Sequence, residues 1–142
     1  MVKRAVIFAN GKKSALPGSL SLHPENDIII AADGGADLCQ QWDVSPHVLI
    51  GDLDSVTPGL LAQYEAAQVE IFRYPTSKDE TDLELALRYA QRCGVGKIVV
   101  LGALGHRWDM TLSNVMLLSA SFLSNTAIYL LGDQEKLLLL QG

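Results

Sequence analysis

Several absences narrow the class of this chain before any motif is considered. Its two cysteines, Cys39 and Cys93, stand far apart, with no C-x-x-C and no histidine-rich partner segment. That pattern excludes a zinc knuckle and a dithiol redox motif, and both thiols read as reduced side chains packed on helices. Basic clusters are missing too. The 11 Lys and Arg residues are scattered among 16 Asp and Glu, for a net charge of −5, so a nucleic-acid partner is not expected. No apolar stretch approaches membrane-spanning length, and Lys3 and Arg4 precede only a short strand-like run rather than a signal peptide. The expectations are no membrane partner and a cytoplasmic location. There is no G-x-x-x-x-G-K-S/T, and no G-x-G-x-x-G follows the first apolar run, which disfavours ordinary P-loop and dinucleotide-binding domains. Internal repeats and low-complexity segments are absent as well.

What is present is a packed globular chain: 142 residues, 49% hydrophobic and 19% charged. That length gives one domain with room for the start of a second. Short apolar runs at Ala5–Ala9, Asp27–Ala32, His47–Ile50, Val69–Tyr74, Lys97–Leu101 and Asn125–Leu131 predict buried strands. Helices are predicted between them, over Ala36–Trp42, from a Thr57 cap and Pro58 to Gln68, from Ser77–Asp82 to the stop at Gly94, and over Met110–Leu123. Leu83, Ala86, Leu87 and Ala90 recur at helical spacing in the third of these. Strand–helix alternation of this kind predicts an α/β fold, a doubly wound, mostly parallel sheet with helices on both faces in three Rossmann-like layers. The terminal Lys136–Leu140 run has no helix-length context, and it is read as the beginning of a truncated C-terminal β domain.

The acids fall at the ends of these strands. Gly51 closes the third strand, and Asp52 and Asp54 follow at spacing i, i+2 with Ser55 beside them. In extended chain such residues point the same way. Two carboxylates held that close repel each other unless a cation lies between them. Asp33–Gly34–Gly35 ends the second strand, where paired glycines permit positive φ or close approach of the backbone to a ligand. Asp79 and Asp82 share a helix face after the fourth strand, and Arg107 and Asp109 follow the fifth. All lie at strand carboxyl ends, the edge where open α/β sheets bind ligands. An oxygen-rich acidic cluster suits Mg²⁺ completed by substrate phosphates. Arg107 offers a bidentate phosphate fork, Lys78 a point charge, and Gly102 and Gly105 expose backbone N–H groups near a helix start. Plainer readings stand beside these: Asp79 and Asp109 as helix-cap acids, Asp33 as a turn residue, and His23 and His47 at a loop and a strand edge.

Taken together, Ala32–Ala36, Gly51–Ser55, Lys78–Asp82 and Gly102–Asp109, with Asn114 one helical turn on, resemble the catalytic domain of thiamine pyrophosphokinases. Four motifs in order over about residues 5–123 carry the resemblance. It implies transfer of a pyrophosphoryl group from ATP to the hydroxyethyl group of thiamine, giving thiamine diphosphate and AMP. It also implies that Asp52, Asp54 and Asp82 bind magnesium, with Asp79 a further candidate, and that Asp54, Asp82, Arg107 and Asp109 serve catalysis. Asp33, Gly34, Gly35, Ser55, Lys78, Gly102, Gly105 and Asn114 are then the nucleotide and substrate contacts. Two departures accompany it. Met110 stands where the family commonly has His, and the family continues into a small β domain that helps form the thiamine pocket across a homodimer. The expected division is therefore 1–124 for the ATP- and Mg-binding part and 125–142 for the last strand and the start of that domain. Rival readings are a pyrophosphokinase for a pterin alcohol, a D-x-D glycosyltransferase, and a non-catalytic nucleotide-binding module.

Overall fold

A computed structural model describes residues 4–9, 22, 23, 25–51, 56–74, 82–101, 126–131 and 136–140. Its strands are β1 (Arg4–Phe8), β2 (Asp27–Ala32), β3 (Val48–Gly51), β4 (Glu70–Arg73), β5 (Lys97–Leu101), β6 (Ala127–Leu131) and β7 (Lys136–Leu140). The helices are α1 (Gly35–Gln41), α2 (Pro58–Ala66) and α3 (Asp82–Arg92). All seven strands form one sheet in the order β4-β3-β2-β1-β5-β6-β7. β1 to β6 are mutually parallel, and β7 returns antiparallel to β6, with Ala127 opposite Leu140. The terminal leucine run thus hydrogen-bonds into the same sheet as the rest of the chain. The helix expected over Met110–Leu123 lies outside the described residues.

Parallel strands are covered on both faces, which is why these segments read as unbroken apolar runs rather than alternating ones. Side chains still alternate between the faces. On one face Ile7, Ile30, Ile50, Ile98 and Val100 pack against Leu83, Ala86, Leu87 and Ala90 of α3. On the other, Val6, Phe8, Ile29, Leu49 and Val99 pack against Ala36, Leu38 and Cys39 of α1 and Leu60 and Tyr64 of α2. Trp42 closes α1 against Phe8, with ring centroids 5.6 Å apart. The Tyr64 hydroxyl donates to the Ala36 carbonyl at 3.2 Å and ties α2 to α1.

Two local expectations change in detail. Thr57 occupies the N-cap position of α2, but its side chain makes no capping bond. Its hydroxyl instead donates to Asp37 Oδ1 at 3.3 Å, joining α2 to the first turn of α1. In the Asp33–Gly34–Gly35 turn, positive φ falls on Asp33 (48°) and not on the glycines. Gly34 is right-handed, at φ −61°. Asp tolerates the left-handed region better than most residues, so the turn places its unusual φ on the acid. Gly35 answers a different demand, close approach. A Cβ there would overlap the Phe8 carbonyl oxygen, so α1 starts in direct contact with the end of β1.

Candidate active site at the carboxyl edge of the sheet

Because β1 to β6 run the same way, Ala9, Asp33, Gly51, Tyr74 and Leu101 all stand at one edge. Backbone bonds stitch that edge together. The Ala9 N–H donates to the Leu101 carbonyl (2.8 Å), the Asp33 N–H to Ile50 (2.7 Å) and the Tyr74 N–H to Gly51 (2.9 Å). The strand order reverses between β1 and β5, and in sheets of this type ligands bind at the carboxyl ends beside that reversal.

Two of the expected site acids are brought together here. Asp33 leaves β2 as a largely buried residue, 8% exposed. Asp82 is the first residue of α3, and it reaches the end of β3 from the opposite side. A Cβ built on Gly51 would lie 2.9 Å from Asp82 Oδ2, 3.0 Å from Asp82 Cγ and 3.2 Å from Asp33 Cβ. The two acids therefore border one small space over Gly51, whose φ is +139°. Glu84, the other acid in the first turn of α3, is engaged by Arg88 at 3.1 Å within the helix. Asp82 is thus the acid of that turn that faces the strand ends. Gly34 and Gly35 lie directly after Asp33 at the start of α1. Asp52, Asp54, Ser55, Lys78, Asp79, Gly102, Gly105, Arg107, Asp109 and Asn114 lie outside the described residues. Among the described residues no group of three or more His, Cys, Asp or Glu side chains could hold a metal. The cradle at Gly51 nevertheless suits a hard cation, since its donors are carboxylate oxygens and the next residues in sequence are Asp52 and Asp54.

Gly51 is the site residue that sequence reasoning missed. It was legible as the end of a strand and as the start of the acidic stretch. Nothing local indicated that its missing side chain is the space Asp82 enters.

The opposite edge carries polar side chains as well, but they are committed to one another. A cleft of 350 Å³ there is lined in part by Asp27, His47, Glu70 and Tyr89. Asp27 accepts from Arg4 Nε (3.1 Å), from Arg4 Nη2 (2.6 Å) and from the His23 N–H (2.9 Å). Burial alone would push its carboxyl up, but the bonds from Arg4 and His23 and the Arg4 charge outweigh it and hold the group below its ordinary 3.8. The Nδ1 of His47 accepts from the Ile29 N–H at 2.9 Å, a structural use that matches the strand-edge reading. The Tyr89 hydroxyl donates to Glu70 Oε1 at 3.0 Å. Burial and that carboxylate push the phenol up to about 12. Cys39 is buried against the sheet, and burial raises its thiol well above the usual range. No helix among the described residues is long and apolar enough to cross a membrane.

Fold and edge together define a class: a doubly wound α/β protein with acids from separate elements at the carboxyl ends of its parallel strands. Comparison with known proteins narrows the class. A family model described as thiamin pyrophosphokinase, catalytic domain, matches residues 20–130. The chain belongs to that family. It is 31% identical over 134 residues to the thiamine pyrophosphokinase of Bacillus subtilis, covering 94% of this chain and 63% of the relative. It is 35% identical over 101 residues to thiamine pyrophosphokinase 1 of Oryza sativa, covering 67% of this chain and 38% of the relative. The crystal structure of the Bacillus subtilis protein superposes with a TM-score of 0.71 at 30% identity, over 91% of this chain and 60% of that one. The chain thus spans less than two thirds of the length of these relatives.

Proposed function

We propose that this chain forms the catalytic part of a thiamine pyrophosphokinase, transferring a pyrophosphoryl group from ATP to the hydroxyl of thiamine. The observation that carries the reading is the meeting of Asp82 and Asp33 over Gly51, one residue before Asp52. Membership of the family supplies the substrates, and the acidic edge supplies a reason why this chemistry belongs there.

In this reading Asp52, Asp54 and Asp82 hold Mg²⁺, with Asp79 as a further ligand. When bound, the ion neutralises phosphate charge and offsets the repulsion among the carboxylates. The residues around it bind and orient. Asp33 with Gly34 and Gly35, Ser55, Lys78 and the Gly102–Gly105 loop hold the nucleotide, and Asn114 lines the same site. The thiamine hydroxyl oxygen attacks the β-phosphorus in line, the α–β bridging oxygen departs with AMP, and a carboxylate of the cluster accepts the alcohol proton. Positioning supplies most of the acceleration, because such transfers need little covalent help from the protein. Arg107 would stabilise charge that develops during transfer, with Asp109 beside it. Met110 contributes no proton chemistry, so any polar role of the histidine common in the family is lost or passes to His106.

The division of the chain, with 1–124 catalytic and 125–142 opening a C-terminal β domain, is part of the same proposal. The register of β6 with β5 and of β7 with β6 argues for a shared sheet across that boundary. A homodimer completing the thiamine pocket and a cytoplasmic location complete the reading.

The test is an AMP-release assay with ATP, thiamine and Mg²⁺, run on this chain and on a version extended to the relatives' length. Equimolar AMP and thiamine diphosphate are expected. ATP binding without AMP, with thiamine or with a pterin alcohol as acceptor, would leave a binding module instead. Asp54→Ala should lower the rate by on the order of a thousandfold, the loss of several kcal/mol of transition-state stabilisation.

A further inference from the structure

We propose that Gly51 is a positioning residue, and that the absence of its side chain is what seats the Asp82 carboxylate at the end of β3. The inference rests on the reading of Asp82 as a metal ligand. The backbone at Gly51 is fixed from both sides. The carbonyl before it, on Ile50, accepts from the Asp33 N–H at 2.7 Å, and its own carbonyl accepts from the Tyr74 N–H at 2.9 Å. β4 pairs alongside, with Gly51 opposite Arg73. A strand end clamped in this way cannot swing aside to accommodate a larger residue.

Something else must move when a Cβ is added. Its near neighbours would be Asp82 Oδ2 at 2.9 Å, Asp82 Cγ at 3.0 Å and Asp33 Cβ at 3.2 Å. Asp33 is held at its own backbone by the bond to Ile50, so its Cβ has nowhere to go. The atoms of Asp82 that the Cβ would meet are the far end of a side chain and not backbone, so rotation about its χ1 is the cheapest relief. An alanine at 51 therefore turns the carboxylate away from the acidic edge. Gly35 offers the contrast: its crowding is against the Phe8 backbone, so a side chain there strikes the fold and not an acid. The positive φ at Gly51 adds strain for any L-residue, but that strain is separate from the displacement of Asp82.

The experiment separates the two effects. Mn²⁺ binding is measured by calorimetry on the chain and on Gly51→Ala, with Leu87→Ala as a variant that loosens α3 without touching the edge. Melting temperatures without metal are measured for Gly51→Ala, Asp82→Ala and the double variant. Expected are a loss of Mn²⁺ affinity of about tenfold or more in Gly51→Ala, affinity within about twofold of the parent in Leu87→Ala, and a smaller melting loss from Gly51→Ala once Asp82 is alanine. Should Gly51→Ala fail to fold, a folded double variant supports the inference and an unfolded one overturns it. Unchanged Mn²⁺ affinity in Gly51→Ala, an equal melting loss in both backgrounds, or no Mn²⁺ binding by the parent chain also overturns it. Neither readout needs turnover. A chain that behaves as expected and yields no AMP would retain this role for Gly51 and lose the pyrophosphokinase reading.

Discussion

Asp27 and Asp33 stand at the two ends of β2 and have opposite fates. Asp27 is saturated by Arg4 and the His23 amide, while Asp33 turns into the acidic edge. A carboxyl whose folded pKa lies below its unfolded value stabilises the fold above the unfolded value, and the benefit fades as pH falls through the folded one. The group holds its charge against the ordinary 3.8, so the native chain should lose urea resistance as pH drops below about 4. Asp27→Asn removes that titration, and its urea midpoint should change less over the same interval, while being lower at neutral pH. Removing only the cation leaves a buried charge behind, and Arg4→Ala should cost about 3 kcal/mol by the same measurement. A second residue-scale expectation concerns Gly35. Because a Cβ at Gly35 would overlap the Phe8 carbonyl oxygen, Gly35→Ala forces α1 off β1 and should cost about 3 kcal/mol, read from the denaturant midpoint.

At the scale of elements, α3 has two tasks: it buries Leu83 and Leu87 against the sheet, and it carries Asp82 to the strand ends. Leu87 is fully buried. Leu87→Ala should cost about 3 kcal/mol through the cavity it leaves, measured by denaturation. The elements were largely legible in the sequence, because fully buried parallel strands and one amphipathic helix produce strong periodic signals. Ala5–Phe8, Asp27–Ala32 and Lys97–Leu101 needed nothing beyond apolar runs and their stops. Less was legible where a residue answers to a distant partner. Thr57 takes the N-cap position that the sequence predicts, yet its hydroxyl serves Asp37 on another helix, a partner no local rule supplies. The Gly34–Gly35 pair was read for positive φ or close approach to a ligand, yet what Gly35 approaches is a strand far away in sequence. Gly51 was a strand terminator until α3 brought Asp82 to it. Of the site, the order of the motifs could be read from sequence. Which acids meet is a tertiary fact, and Asp33 and Asp82 meet over Gly51.

At the scale of the whole molecule, β1 lies inside the sheet between β2 and β5, and β4 is an edge strand among the described residues. Amides of Val6, Ile7, Ile29 and Val99 should therefore be among the slowest to exchange with deuterium, and those of Ile71 and Phe72 faster, in a native-state exchange series. Equal protection of β4 and β1 would count against a free edge at β4. The central place of β1 has a further consequence, for the growing chain. β1 is made before β2 and β5, and β2 can cover one of its flanks soon afterwards. The other flank has no partner until Lys97–Leu101 emerges. Through that interval an open strand edge, bordered by the apolar side chains of Val6, Ile7 and Phe8, is a template for pairing with the wrong chain. The seam between β1 and β5, where the strand order reverses and ligands are expected, is thus also an edge that a nascent chain must keep from the wrong partner until β5 is made.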